Sequence, residues 1–230
     1  MFSRVRDING IVTALVSHKW INNEHMIISP PRIFLIITLL LGLWGCSSIP
    51  DPISDVEWQS HQARLKTIMQ FQLVGKLAYI DPNQRQSLNF QWQISPQQTQ
   101  LRLTTFLGQT VLNLSIDQQG AQVITHDDNV YRADSAEQLI ASLTGLTLPI
   151  ELLQAWIVGL PTQADHFELN SNNTLARLQK NQGLSRWTVD YHRYREYLWQ
   201  DKPLPLPDRV LLTQQDTSIN LVISKWTLTP

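Results

Sequence analysis

Between Phe71 and Trp226 much of the chain alternates apolar and polar residues, with turn residues breaking the alternation at short intervals. A period of two marks half-buried β-strands. Phe71, Leu73, Leu77 and Tyr79 share one parity, with Gly75 among them; Leu88, Phe90, Trp92 and Ile94 share another. Leu101 with Leu103, and Leu112, Leu114 with Ile116, continue the pattern. Asp81-Pro82-Asn83 and Ser95-Pro96 supply turns. Past Val123-Ile124 and Val130-Tyr131, alternation returns at 166–169, 175–179, 186–191, 209–213 and 219–226. The pattern predicts about eleven strands, antiparallel because their connections are short.

Three segments follow the helical period instead. In 56–69, Trp58, Ala63, Leu65 and Ile68 recur at helical spacing. A second helix is expected to open with Asp134 and Glu137 at capping-box spacing, run through Leu139, Ile140 and Leu143, and close at Gly145. A third starts near Pro149 and presents Leu152, Leu153, Trp156, Ile157 and Leu160, with Gly159 and Pro161 as stop signals. A long antiparallel sheet curls, and two apolar helices between its halves would cover the concave side. The expected architecture is mainly β: an incomplete antiparallel barrel with an apolar interior. Periodicity does not decide whether that interior is a filled core or a hollow.

The beginning of the chain has another purpose. Ile33 to Trp44 (IFLIITLLLGLW) is an apolar run after Arg32, shorter than the roughly 20 residues of a membrane-spanning helix. It reads as the core of a signal peptide. Leu43-Trp44-Gly45-Cys46 resembles the lipobox of bacterial lipoproteins, with Trp44 where a small residue is usual, so Cys46 is the expected lipid-attachment residue. Residues 1–25, with Glu24 ahead of the basic segment, fit no signal-peptide plan, whereas Met26 starts one (MIISPPR). The expected division is an N-terminal extension over 1–25, a signal peptide over 26–45, a lipidated tether over 46–55 rich in Ser, Pro and Asp, and a folded domain over 56–230.

Composition removes several classes of function. A net charge of -1 without any dense Lys/Arg run excludes a nucleic-acid binder. A single cysteine excludes an intramolecular disulfide, a Cys-based zinc site and a CxxC redox pair. His61, His126, His166 and His192 show no HxxxH or HExxH spacing. His126-Asp127-Asp128-Asn129 reads as a solvated hairpin turn. There is no GxSxG elbow and no phosphate-binding glycine loop, so neither an enzyme nor a cofactor is expected. Tyr191, Tyr194, Tyr197 and Trp199 read as an edge strand and loop.

Ser142 to Pro161 (SLTGLTLPIELLQAWIVGLP) closely resembles the corresponding stretch of the LolB family. Trp58 with His61-Gln62, Gly75 with Ala78-Tyr79, Leu107-Gly108 and Trp187 match in the same order, and the resemblance covers essentially all of 46–230. It implies an open β-barrel capped by short α-helices and enclosing a hydrophobic cavity. It also implies an outer-membrane lipoprotein, facing the periplasm as a monomer, that receives lipoproteins from the soluble carrier LolA and incorporates them into the outer membrane. Ser47 after Cys46 is compatible with that destination. Candidate residues for an acyl-chain cavity are Phe90, Trp92, Leu101, Leu103, Leu112, Leu114, Leu143, Trp156 and Trp187. Leu107 aligns with the leucine of a protruding loop implicated in membrane insertion, flanked here by Phe106 and Gly108, and Phe106 replaces the proline of many relatives. The competing reading of the residues alone is a lipid-anchored structural or assembly protein whose barrel is filled.

Overall fold

The computed structural model describes residues 53–145, 148–183 and 185–230. Cys46, with the expected extension, signal peptide and most of the tether, lies outside the described residues. The packed chain begins by Ile53, ahead of the expected Val56 boundary, because Ile53 rests on the core and the Ser54 N–H donates to Glu196 Oε1 at 2.9 Å.

Helix α1 (Trp58–Leu65) is shorter than its apolar period. Glu57 starts it by accepting hydrogen bonds from the Gln59 and Ser60 N–H groups at 2.9 and 2.7 Å. Its buried residues are His61 and Leu65, and Ala63 faces solvent. After it come β1 (Gln70–Ile80), β2 (Arg85–Ile94), β3 (Thr99–Thr104), β4 (Thr110–Asp117), β5 (Gly120–Thr125) and β6 (Val130–Ala133). Two helices follow, α2 (Ala136–Thr144) and α3 (Ile150–Ile157), then β7 (His166–Leu169), β8 (Leu175–Gln182), β9 (Ser185–Trp199), β10 (Lys202–Gln214) and β11 (Thr217–Thr229). The cap of α2 is Ser135, not Asp134: its side chain accepts the Gln138 N–H at 3.1 Å, which places the helix one residue later than the Asp134–Glu137 spacing implied. Gly145, at φ 74°, closes it as expected.

All eleven strands among the described residues form one antiparallel sheet in the order β6-β5-β4-β3-β2-β1-β11-β10-β9-β8-β7. Every neighbour pair is a sequential hairpin except β1 with β11, which joins the two ends of the folded chain. The sheet is open, with β6 and β7 as its edges. Since α2 and α3 connect those two edges, the helical segment must cross from one side of the sheet to the other, and its apolar faces are buried in doing so. At Gly75 the β1–β11 register shifts, and a Cβ there would lie 2.2 Å from the Val222 carbonyl oxygen and 2.8 Å from the Phe90 ring, so only glycine fits.

The aromatic run after Tyr191 differs from expectation. β9 extends through Trp199 as an interior strand, and Tyr191, Tyr194 and Trp199 are buried. Its partner is the proline-rich start of β10, Lys202–Pro207, which pairs with β9 but not with β11. Proline cannot donate to a ladder, but it can line a strand whose other side is unpaired. Arg64 of α1 covers that edge, donating to the carbonyls of Pro203, Trp199 and Lys202 at 2.7, 3.1 and 3.1 Å. At the bulge where β10 turns from β9 alone to both neighbours, buried Asp208 meets Arg193 Nε at 2.6 Å and Arg195 Nη2 at 3.3 Å.

Candidate functional site

Two apolar clusters fill the concave side. The larger joins α1, α3, β1, β2 and β8 to β11; the smaller gathers Leu114, Ala121, Val123, Ala136, Leu139 and Ile150 beneath α2. Between them lies an apolar cavity of about 80 Å³. The sheet contributes Leu77, Phe90, Trp92, Thr99, Leu101, Leu114, Ile116, Leu212, Ile219 and Leu221, and the helical segment contributes Leu148, Ile150 and Leu153. Its one hydroxyl, on Thr99, is already engaged, accepting from Gln154 Nε2 at 2.9 Å. Trp92, 5% exposed, has an indole N–H with no acceptor among the described residues.

Of the nine candidate cavity residues, Phe90, Trp92, Leu101 and Leu114 line this space. The other five do not. Trp156 and Trp187 are wholly buried in the larger cluster, Leu103 packs against that cluster, and Leu112 and Leu143 pack against the smaller one. Trp156 is fixed away from the cavity by its indole N–H, which donates to the Thr162 carbonyl at 3.0 Å. The sequence reading missed the contributions of β10, β11 and the segment entering α3. Leu77 and Ile219 carry the inward parity of their strands, so that signal was available; Leu77 meets Leu101 through sequential hairpins, whereas the approach of Ile219 depends on the long-range β1–β11 pairing.

The β3–β4 hairpin supplies a second feature. Thr105 and Gln109 close the loop, the Gly108 N–H donates to the Thr105 carbonyl at 3.0 Å, and Gly108 adopts φ 84°. Phe106 and Leu107 occupy the tip and are 85% and 72% exposed. Both are too well exposed to belong to either cluster, so this hairpin presents two large apolar side chains to its surroundings. The 126–129 segment is a hairpin turn as read: the Thr125 N–H donates to the Asn129 carbonyl at 3.1 Å, and Asp127 accepts from Thr125 and Asn129.

A family model described as "Outer membrane lipoprotein LolB" matches residues 69–226. The outer-membrane lipoprotein LolB of Vibrio cholerae is 57% identical over 191 residues, which cover 83% of this chain and 93% of that relative. That of Vibrio vulnificus is 51% identical over 195 residues, covering 85% of this chain and 96% of the relative. A solved structure of a LolA superfamily protein from Nitrosomonas europaea superimposes with a TM-score of 0.47 at 12% identity, over 76% of this chain and 94% of that one.

Proposed function

The chain belongs to the LolB family of outer-membrane lipoproteins, and from that premise we propose that its cavity takes up the acyl chains of lipoproteins delivered by the periplasmic carrier LolA. Its role is that of an outer-membrane lipoprotein receptor. Cys46 is the lipid-attachment residue in this reading, and the Phe106-Leu107-Gly108 tip contacts the bilayer during release.

The observation that carries the acyl-chain reading is the cavity, walled by aliphatic and aromatic side chains and roofed by the helical segment. Three acyl chains carry about 45 methylenes, whose exposure to water would cost on the order of 35 kcal/mol, so cargo has to pass between apolar sites without entering solvent. The space of about 80 Å³ lies well below the roughly 300–1,000 Å³ of pockets that enclose drug-sized ligands. Uptake therefore requires the helical roof over β3 and β4 to lift, exposing the surfaces of both clusters. The Trp92 N–H is then a donor for an ester or amide carbonyl at the head of a chain.

The test is a titration of the unlipidated chain with a fluorescent acyl chain. Saturable binding is expected, and Leu153→Trp, which fills the cavity from α3, should weaken it about tenfold or more, equivalent to about 1.4 kcal/mol. If the unmodified chain shows no saturable binding, the barrel is a filled, structural one.

A further inference from the structure

Five neighbouring stretches of the sheet, Arg209–Gln214 of β10 with β11, β1, β2 and β3, contain no Asp or Glu. Their charged residues are Arg209, Lys225, Lys76, Arg85 and Arg102. Register places all of these on one face. Arg209 pairs with Val222, Val222 with Lys76 and Lys76 with Asn89; Lys225 pairs with Val74, Val74 with Gln91, and Gln91 with Arg102. Arg85 joins them through Ile80. The alternate positions, among them Leu73, Phe90 and Leu221, are buried on the inner face. The five cations are exposed, and among the described residues none has a carboxylate within 4.0 Å. The helices have the opposite character: α2 and α3 carry Glu137 and Glu151 and no Lys or Arg.

The anchor and the tip leave the sheet at opposite ends. The Ser54 N–H is bonded to Glu196 and the Val56 N–H to the Asn172 carbonyl, at the end of the sheet where β9 finishes and β1 begins. The Phe106–Leu107 tip leaves from the other end, where β3 finishes. The last rung of β3, Thr104, lies opposite Asn89 and through it Lys76, six residues along β1 from Gln70, or about 20 Å at ~3.3 Å per residue. The stretch from Cys46 to Ile53 spans at most about 25 Å when fully extended. With the strands lying along the surface, a lipid on Cys46 and the tip both meet the bilayer that the cationic face meets.

We propose that the protein docks side-on, with the outer face of β10, β11, β1, β2 and β3 against the anionic headgroups of a lipid surface. This rests on the receptor reading, which supplies the anchor and the tip, and adds the docking face and the lipid chemistry. Because Cys46 is the sole cysteine and would carry the lipid, one introduced cysteine takes one label. Lipidated protein would be reconstituted into phosphatidylcholine vesicles with or without phosphatidylglycerol, labelled at Gln91→Cys on the outer face or at Gln138→Cys on α2, and exposed to a headgroup-borne quencher. The expected result is strong quenching at position 91 and weak quenching at 138, dependent on phosphatidylglycerol. Each cation at an anionic surface is worth about fivefold in the ratio of docked to undocked protein. Lys76→Glu with Lys225→Glu should therefore abolish the difference, and about 1 M salt, with a Debye length near 3 Å, should do so on the unsubstituted protein. Equal quenching at both positions, or quenching at 91 indifferent to lipid charge and salt, overturns the proposal. Acyl-chain uptake by the same preparations reads the receptor function separately, since its loss would sink that reading without altering the quenching pattern.

Discussion

From β7 to β11 the inward positions hold Trp187, Val189, Tyr191, Tyr194, Leu204 and Leu206, all buried, whereas from β3 to β5 Leu101, Leu103, Leu112 and Ile116 remain partly exposed beside buried Leu114, Ala121 and Val123. The first half is pinned by polar handles on its rings. Tyr191 donates to the Trp156 carbonyl and Tyr194 to the Leu175 carbonyl, each at 2.7 Å, and Trp226 donates to the Pro207 carbonyl at 2.9 Å. Satisfied buried hydrogen bonds fix ring orientation and make a packed interior specific. The second half is aliphatic, and its helix α2 meets only β5 and β6 to any extent. The cavity sits at the seam, where a half that holds its shape meets one that can yield. A receptor that must open for cargo without unfolding is served by such a division.

The comparison is tested hardest by truncating one residue in each half. Trp187→Ala removes a wholly buried indole and should cost about 3–5 kcal/mol. Leu112→Ala, at a partly exposed site, should cost on the order of 1 kcal/mol. Chemical denaturation followed by tryptophan fluorescence reads both. Equal costs would mean that the two halves are packed alike and that the seam has no mechanical meaning.

A smaller effect concerns charge in the pinned half. His61 of α1 is 3% exposed, and burial, followed by the nearby Arg64 cation, lowers its pKa to about 4 from an ordinary 6.5. Its Nδ1 has no partner among the described residues. The unfolded chain therefore takes up the proton first. Stability owed to the neutral ring is complete above about pH 6.5 and is lost as pH falls toward 4, by on the order of 2 kcal/mol. Carboxylates titrate in the same window, so the measurement is the difference between the parent chain and His61→Gln in denaturation midpoint between pH 7 and 4.5. A parallel pH dependence in the two would place the acid sensitivity outside α1.

How much of this was legible in the sequence depended on whether the deciding interaction was local. The strand positions and the Gly145 and Gly159 stops were readable, because alternation and φ > 0 glycines act within a few residues. The extension of β9 and β10 was not. Lys-Pro-Leu-Pro-Leu-Pro at 202–207 reads as a break, and only the free side of β10, covered by Arg64 from far away in the chain, lets it be a strand. The cavity divided along the same line. Phe90, Trp92, Leu101 and Leu114 come from successive hairpins, whereas Leu212 and Leu221 reach it through a pairing between the first and last strands. Trp156 and Trp187, expected at the cavity, sit instead in the larger cluster, Trp156 on α3 and Trp187 on the inward face of β9. The absence of carboxylates from β1, β2, β3, β11 and the Arg209–Gln214 part of β10 was visible in the sequence and acquired a meaning only when register placed their cations on one face.

The smallest effect on stability should come from the hairpin tip of the yielding half, where the largest effect on function is expected. Phe106 and Leu107 touch neither cluster, and their turn is held by backbone bonds between Thr105, Gly108 and Gln109. Leu107→Glu should therefore change stability by no more than about 0.5 kcal/mol and leave acyl-chain binding almost intact. Burying the leucine in lipid contributes about 1.5–3 kcal/mol, enough to dock the loop briefly without trapping it. Losing that contribution and presenting a carboxylate to the headgroups should slow transfer of bound lipoprotein into liposomes about tenfold or more, as 1.4 kcal/mol is a factor of ten. Binding and transfer are measured on the same preparation. Transfer at the normal rate would remove Leu107 from the release step, and loss of folding would show that the tip belongs to the packed structure after all.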